Sequence, residues 1–264
     1  MRPLSLCLAL LAGPVAACGP DTDCVIGDRT YRLYLPEGHN GEEIGAFFFA
    51  HGYRGSAAGA MRNGSLRSLA DELGMAFVAL KSAGEDWNLA HRPREPQQEE
   101  AREYDYAAAV IEDVATRVPL ARDRLVVTGF SAGGMMTWTL ACGMSESFAG
   151  FIPMSGTFWA PVPESCPTPP ANIVHIHGTE DPVVPIKGRP IGETSQGDVT
   201  TVIYRYTAEG GFNDPSQTEA PGGLSCTETA NPDGKILDLC LFTGGHSFST
   251  ERLRHGIDRV LGAS

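Results

Sequence analysis

Three residues in this sequence have the types and chain order for nucleophilic chemistry: a serine at a glycine-bounded turn, an acid after it and a histidine after that. The serine sits in Leu125-Val126-Val127-Thr128-Gly129-Phe130-Ser131-Ala132-Gly133-Gly134-Met135-Met136. An apolar, β-branched run enters Gly-x-Ser-x-Gly, and a helix-forming stretch leaves it. That is the pattern of strand, tight elbow and helix. At such an elbow a side chain at Gly129 or Gly133 would collide across the turn, and the serine hydroxyl is held clear of the backbone. The helix dipole and the Ala132 N–H then favour negative charge on an attacked carbonyl oxygen.

A serine hydroxyl is a poor nucleophile near neutral pH, so it needs a base in reach, and the base needs an acid to fix its tautomer. The order Ser131, acid, histidine matches the α/β-hydrolase arrangement. Of seven histidines, His246 is the one that follows the last predicted strand, and Gly244-Gly245 before it let its loop approach the serine. His175 and His177 fall within and at the end of a strand and read as satisfied core histidines. Two apart, with no clear further ligands, they do not predict a metal site. His255 lies on the terminal helix, and His39 and His91 lie in polar loops. His51 reads as a structural histidine bonding its own loop. Asp181 is the preferred acid because it opens the loop after Ile173–His177, at the strand ends where open α/β sheets bind ligands. Asp198 is the fallback, and Glu180 is expected to point elsewhere. The Tyr53 N–H, in the turn His51–Gly55, is the expected partner of Ala132 in an oxyanion hole. Trp87, Trp159 and Phe248 are candidates for the substrate-pocket wall, each with a packing role as its alternative.

Positioning these residues requires a particular set of elements. Cys24–Leu35, alternating over Thr30–Leu35, predicts antiparallel strands with a hairpin turn at Gly27-Asp28. Ile44–Ala50, Met75–Leu80, Leu125–Val127, Ala149–Pro153 and Ile173–Gly178 read as buried strands, and Lys235–Phe242 as the last strand. Helices are predicted over Ser65–Leu73, Glu99–Arg117, Thr200–Glu209 and Glu251–Leu261, besides the one after Ser131. Asp105 and Asp113 on the long helix read as solvated or structural, and Gly210–Thr229 as loop. The alternation gives an α/β class with a mostly parallel sheet and helices on both faces. The length suits one domain, residues 18–264.

Residues 1–17 carry a short basic start and an apolar run too short to span a bilayer, and end in Val15-Ala16-Ala17. They read as a signal peptide, so the mature protein is expected to be extracellular or periplasmic. Val15-Ala16-Ala17-Cys18 also fits a lipoprotein box. Against lipidation of Cys18 stands the even set Cys18, Cys24, Cys142, Cys166, Cys226 and Cys240, suited to disulfides in an oxidising compartment. Six cysteines allow fifteen pairings, so the sequence leaves connectivity open. Bridges between Cys226 and Cys240, and between Cys142 and Cys166, would pin the segments carrying the base and the serine helix. Without Arg2 the 20 Lys and Arg become 19, which against 32 Asp and Glu gives a net charge of −13. Such acidity disfavours nucleic acid and anionic membrane surfaces as partners and suits a soluble exported protein.

Trp87-Asn88, Asp105, Gly129–Met136, Leu140-Ala141-Cys142, His175–Pro185 and Gly244-Gly245-His246 together resemble the secreted poly(3-hydroxybutyrate) depolymerase and feruloyl esterase family. The likeness runs from about Cys24 to the closing helix, and the His-Gly-Thr-x-Asp-x-Val-x-Pro stretch is its most specific part. The resemblance implies an α/β hydrolase with Ser131, Asp181 and His246 as nucleophile, acid and base, cleaving carboxylic esters without a cofactor. Poly- or oligo(3-hydroxybutyrate) is then the expected substrate, with feruloyl or acetylxylan esters as the alternative. Where such enzymes often carry Trp-Pro-Gly after the histidine, this chain has Ser247-Phe248-Ser249. It also lacks the linker and polymer-binding domain of many depolymerases, which keeps soluble oligomers and small esters beside granules. A noncatalytic binding protein on the same fold is the third reading, and loss of a triad member would have pointed to it.

Overall fold

The computed structural model describes residues 18–93 and 100–262. The segment read as a signal peptide lies outside the described residues. The chain begins with strands β1 (Cys24–Ile26), β2 (Arg29–Tyr34) and β3 (Ile44–Ala50), helices α1 (Ala57–Met61) and α2 (Gly64–Leu73), and strand β4 (Ala76–Leu80). Helix α3 (Glu100–Arg117), strand β5 (Leu120–Phe130), helix α4 (Ala132–Gly143) and strands β6 (Gly150–Met154) and β7 (Ile173–Gly178) follow. Next come a small ribbon, β8 (Pro190–Ile191) with β9 (Thr194–Ser195), and helix α5 (Val199–Gly210). Strands β10 (Asn213–Ala220), β11 (Leu224–Ala230) and β12 (Ile236–Phe242) and helix α6 (Thr250–Leu261) close the chain.

Ten strands form one sheet in the order β1-β2-β4-β3-β5-β6-β7-β12-β11-β10. The run from β4 to β12 is parallel, and the pairs at both edges are antiparallel. Strand β3 shows why the parallel part must be covered twice. All seven residues of Ile44–Ala50 are buried, with Ala46, Phe48 and Ala50 packed toward α3, α4 and α5, and Phe47 and Phe49 toward α1, α2 and α6. A strand buried on both faces has no polar side to spare, hence the unbroken apolar run. Helix α4 is buried from Ala132 to Cys142, as a helix apolar all round must be. The more amphipathic helices are fixed at their ends. Asn63 caps α2 by accepting the Ser65 N–H at 3.0 Å, and Gly74 ends it at φ 59°. Asp198 caps α5 by accepting the Thr201 N–H at 3.1 Å, which assigns the fallback acid to a helix terminus.

The sequence reading fails at Gly210–Thr229. Instead of a loop, this stretch holds the β10–β11 hairpin, turning at Gly222 and Gly223 with φ of 76° and 71°. Strand β10 is an almost wholly exposed edge strand. Its partners supply the ladder, and no apolar periodicity is needed. Cys226 and Cys240 face each other across β11 and β12, joined as a disulfide. Among the described residues, Cys142–Cys166 and Cys18–Cys24 are also bridged.

A buried ion pair joins the antiparallel edge to α3. Arg29 and Glu103 meet at 3.0 Å, 6% and 0% exposed. Arg29 also donates to the Lys81 carbonyl at 2.8 Å, and the second Glu103 oxygen accepts the Asn88 N–H at 2.9 Å. Removing one partner of such a pair leaves the other charge uncompensated. We expect Glu103→Ala to cost about 3–5 kcal/mol in urea unfolding, and Glu103→Gln, which keeps a hydrogen-bonding side chain, to cost less.

Candidate active site

Strand β5 delivers Ser131 at φ 61°, ψ −120°, outside the usual regions for a non-glycine residue. The conformation follows from how near α4 lies to the sheet. A Cβ on Gly133 would stand 1.8 Å from the Ala50 carbonyl oxygen, and one on Gly129 would stand 2.2 Å from the Gly133 oxygen. Glycine is obligatory at both positions. The turn is fixed by Ser131 N–H donating to Met154 O at 3.0 Å and Met135 N–H donating to Ser131 O at 3.1 Å. The Ala132 N–H opens α4 and has no hydrogen-bond partner among the described residues.

Asp181 and His246 come from the ends of neighbouring parallel strands, β7 and β12. The two loops are zipped together by Thr179 N–H to Phe242 O and Glu180 N–H to Gly244 O, both 2.9 Å. A Cβ on Gly178 would lie 2.5 Å from the Gly244 and Gly245 carbonyl oxygens. Asp181 is 5% exposed. Its Oδ1 accepts the N–H groups of Val183 and Val184, each at 2.8 Å, and its Oδ2 lies 2.7 Å from His246 Nδ1. A carboxylate only accepts, so the His246 proton sits on Nδ1 and the Nε2 lone pair is left free. The imidazole lies 4.5 Å, centroid to centroid, from the ring of Phe130, the residue before Ser131. Asp181 and His246 are thus joined beside the elbow. No hydrogen bond links Ser131 Oγ to His246 among the described residues, a contact that commonly tightens only around substrate.

The turn after β3 packs onto the same elbow. A Cβ on Gly52 would lie 3.3 Å from Phe130 O and 3.5 Å from Ser131 Cβ. Tyr53, Ser131 and Ala132 line one cavity of about 720 Å³. The Tyr53 N–H has no hydrogen-bond partner among the described residues, while the next amide, Arg54 N–H, donates to Glu85 O at 2.7 Å. Two of the three aromatic candidates for the cavity wall are corrected. Trp87 is fully buried, and its indole N–H donates to the His51 carbonyl at 2.8 Å. It holds the turn from beneath instead of facing substrate. Phe248 packs edge-on against Phe49 and Phe130, at 5.6 and 5.9 Å, under the elbow. Trp159 does line the cavity, with Met135, Val184, Ile191, Asn88 and Asp86. Ile191 and Gln196, which nothing in the sequence singled out, are brought there around the β8–β9 ribbon, turned at Gly192 with φ 60°. Burial raises the Asp86 carboxyl above its ordinary range, opposed by the Trp87 N–H that it accepts. Among the described residues the close grouping of metal-type ligands is Cys226, Cys240 and His255, whose two sulfurs are joined in the disulfide.

A family model described as phospholipase/carboxylesterase matches residues 87–206. NocK of Nocardia uniformis subsp. tsuyamanensis, a protein assigned as an esterase, is 30% identical over 247 residues, 83% of this chain and 70% of that one. The chain belongs to the carboxylesterase family of α/β hydrolases. This carboxylesterase is also similar to a protein of Aspergillus flavus assigned as feruloyl esterase C, 29% identical over 167 residues, 62% of this chain and 58% of the other. Its fold matches an acetyl xylan esterase from Aspergillus awamori with a TM-score of 0.63 at 14% identity, covering 94% and 97% of the two chains.

His51 serves the carboxylesterase as a neutral strut. Its Nδ1 lies 2.7 Å from Gly52 O, and its Nε2 accepts the Ser82 N–H at 3.2 Å. Burial, helped by the charges of Lys81 and Arg29 and opposed by the Gly52 carbonyl, lowers its pKa from 6.5 to about 4. The unfolded chain takes up a proton near 6.5, whereas the folded one resists until about 4. The stabilisation is therefore complete above pH 6.5 and is lost as pH falls toward 4, by up to about 3 kcal/mol. Urea unfolding at stepped pH should show wild type losing more stability over this window than His51→Gln; parallel curves would contradict the assignment.

Proposed function

We propose that the protein is an exported serine esterase that works through an acyl-enzyme on Ser131. The observation that carries this reading is the 2.7 Å pairing of Asp181 with His246 beside the strained serine elbow. His246 Nε2 takes the Ser131 hydroxyl proton as Oγ attacks the ester carbonyl carbon. The Tyr53 and Ala132 N–H groups hold the oxyanion, and Asp181 holds the imidazolium. Collapse breaks the C–O bond to the alcohol, which leaves with the proton from His246. A water then gives its proton to His246 and attacks the acyl carbon, and the acid departs as Ser131 recovers its proton.

For the acyl group we favour a hydroxylated aromatic acid, of the feruloyl type, esterified to a saccharide. In support, relatives are assigned as feruloyl esterases, and the cavity sets Trp159, Met135 and Val184 against the polar Asn88 and Asp86. Oligomers of 3-hydroxybutyrate form the second reading, supported by the His175–Pro185 stretch that resembles the depolymerases. Export is supported by the apolar run of residues 1–17 and by three disulfides, one of which occupies the Cys18 sulfur.

The test compares methyl ferulate, acetylated xylan, 3-hydroxybutyrate oligomers and short p-nitrophenyl esters on purified protein. We expect ferulate to show the highest kcat/KM and Ser131→Ala to lower kcat by about 10⁴-fold or more. Preference for the oligomers would move the substrate to hydroxyalkanoates, and a Ser131→Ala variant with wild-type rates would contradict the mechanism.

A further inference from the structure

We propose that His175 and His177 form a neutral, one-way hydrogen-bond relay that positions Asp181, and through it His246, from the helix that follows Ser131. The proposal rests on the triad reading above and adds to it two residues that face no substrate.

The direction of the relay is fixed by its two ends. Trp138, in α4, donates its indole N–H to His175 Nδ1 at 3.1 Å. An indole nitrogen only donates, so His175 Nδ1 must accept, and the His175 proton sits on Nε2. That nitrogen lies 3.0 Å from His177 Nδ1, which must accept in turn and leave the His177 proton on Nε2. His177 Nε2 lies 2.7 Å from the Val184 carbonyl, which only accepts. A donor at one end and an acceptor at the other permit a single fully satisfied state, with both rings neutral and both protonated on Nε2. A further proton on either ring would set donor against donor.

The far end of the relay is the turn that shapes the acid. Val184, held through its carbonyl by His177, gives its own N–H to Asp181 Oδ1 at 2.8 Å. The other carboxylate oxygen meets His246. His177 Nε2 stands 3.6 Å from Asp181 Oδ2, too far for a hydrogen bond, so the coupling runs through the Val184 backbone, from its carbonyl to its N–H. Both rings are 0% exposed and stack at 5.2 Å. Burial lowers both pKa values. Among the described residues, the charged or titratable groups acting on His177 are Asp181, which opposes the lowering, and His246, which adds to it; on His175 such a group is His177. Two buried imidazoles are costly unless every polar atom is paired, and here each ring nitrogen has its partner. They are positioning residues.

The experiment compares His177→Leu, which removes both the acceptor and the donor, with His177→Gln, which keeps one of each. Rates are taken on p-nitrophenyl acetate per serine counted by endpoint titration with a fluorophosphonate, so that unfolded protein does not enter. We expect His177→Leu to lower kcat by about tenfold to a hundredfold, as small misplacements of reacting groups do, with KM within about twofold of wild type, and His177→Gln to recover most of the loss. In wild type, ¹⁵N NMR of ring-labelled histidine should show two neutral imidazoles protonated on Nε2 and unchanged from pH 5 to 8. An unchanged kcat in His177→Leu, a His177→Gln no better than His177→Leu, or a proton on Nδ1 of His175 or His177 would overturn the relay. If the leucine variant fails to fold, the wild-type tautomers and the glutamine variant still decide it. Failure of the triad reading is seen separately, as Ser131→Ala retaining activity.

Discussion

The close approach of α4 to β3 is the constraint on which the rest of the structure depends. With Gly133 pressed against the Ala50 carbonyl and Gly129 against Gly133, the chain has no room for an ordinary strand-to-helix connection, and Ser131 takes up a positive φ. A non-glycine residue in such a region costs roughly 1–3 kcal/mol and persists where its surroundings over-determine it. Here they do. Ser131 is hydrogen-bonded on both sides of its peptide, and a Cβ on Gly156, after β6, would lie 2.4 Å from the Ser131 carbonyl oxygen.

From that fixed point the strand order does the remaining assembly. Strand β3, beside β5, ends in the turn that carries Tyr53, and β6, on the other side, ends against the elbow. The next two strands, β7 and β12, release the acid and the base side by side, because parallel neighbours end on the same edge of the sheet. The buried polar groups serve this edge. Trp87 and His51 brace the Tyr53 turn, Glu103 fixes Asn88, and the histidine pair reaches the Asp181 turn from α4.

Much of this was legible in the sequence, for reasons that explain what was not. Strands β3, β5 and β7 announce themselves as apolar runs because both their faces are covered, and the glycines of the elbow because no other residue fits. The Asp181 and His246 positions follow from strand ends and chain order. Strand β10 was illegible because its residues face solvent and owe their conformation to β11. Trp87 and Phe248 were misplaced because an aromatic residue beside a site has the same one-letter signature whether it faces the cavity or packs beneath it. Which way the Trp87 ring turned depended on a carbonyl 36 residues away, at His51. The Arg29–Glu103 pair, 74 residues apart, left no local pattern at all.

The most direct test of the central claim is to look for the acyl-enzyme itself. Protein mixed with p-nitrophenyl butyrate is quenched in acid within milliseconds to seconds, digested and examined by mass spectrometry. The account predicts a butyryl adduct on the peptide containing Ser131, formed with a burst of p-nitrophenol and cleared as substrate is consumed. Turnover of the ester with no adduct at any time, or with the adduct on another residue, would contradict it.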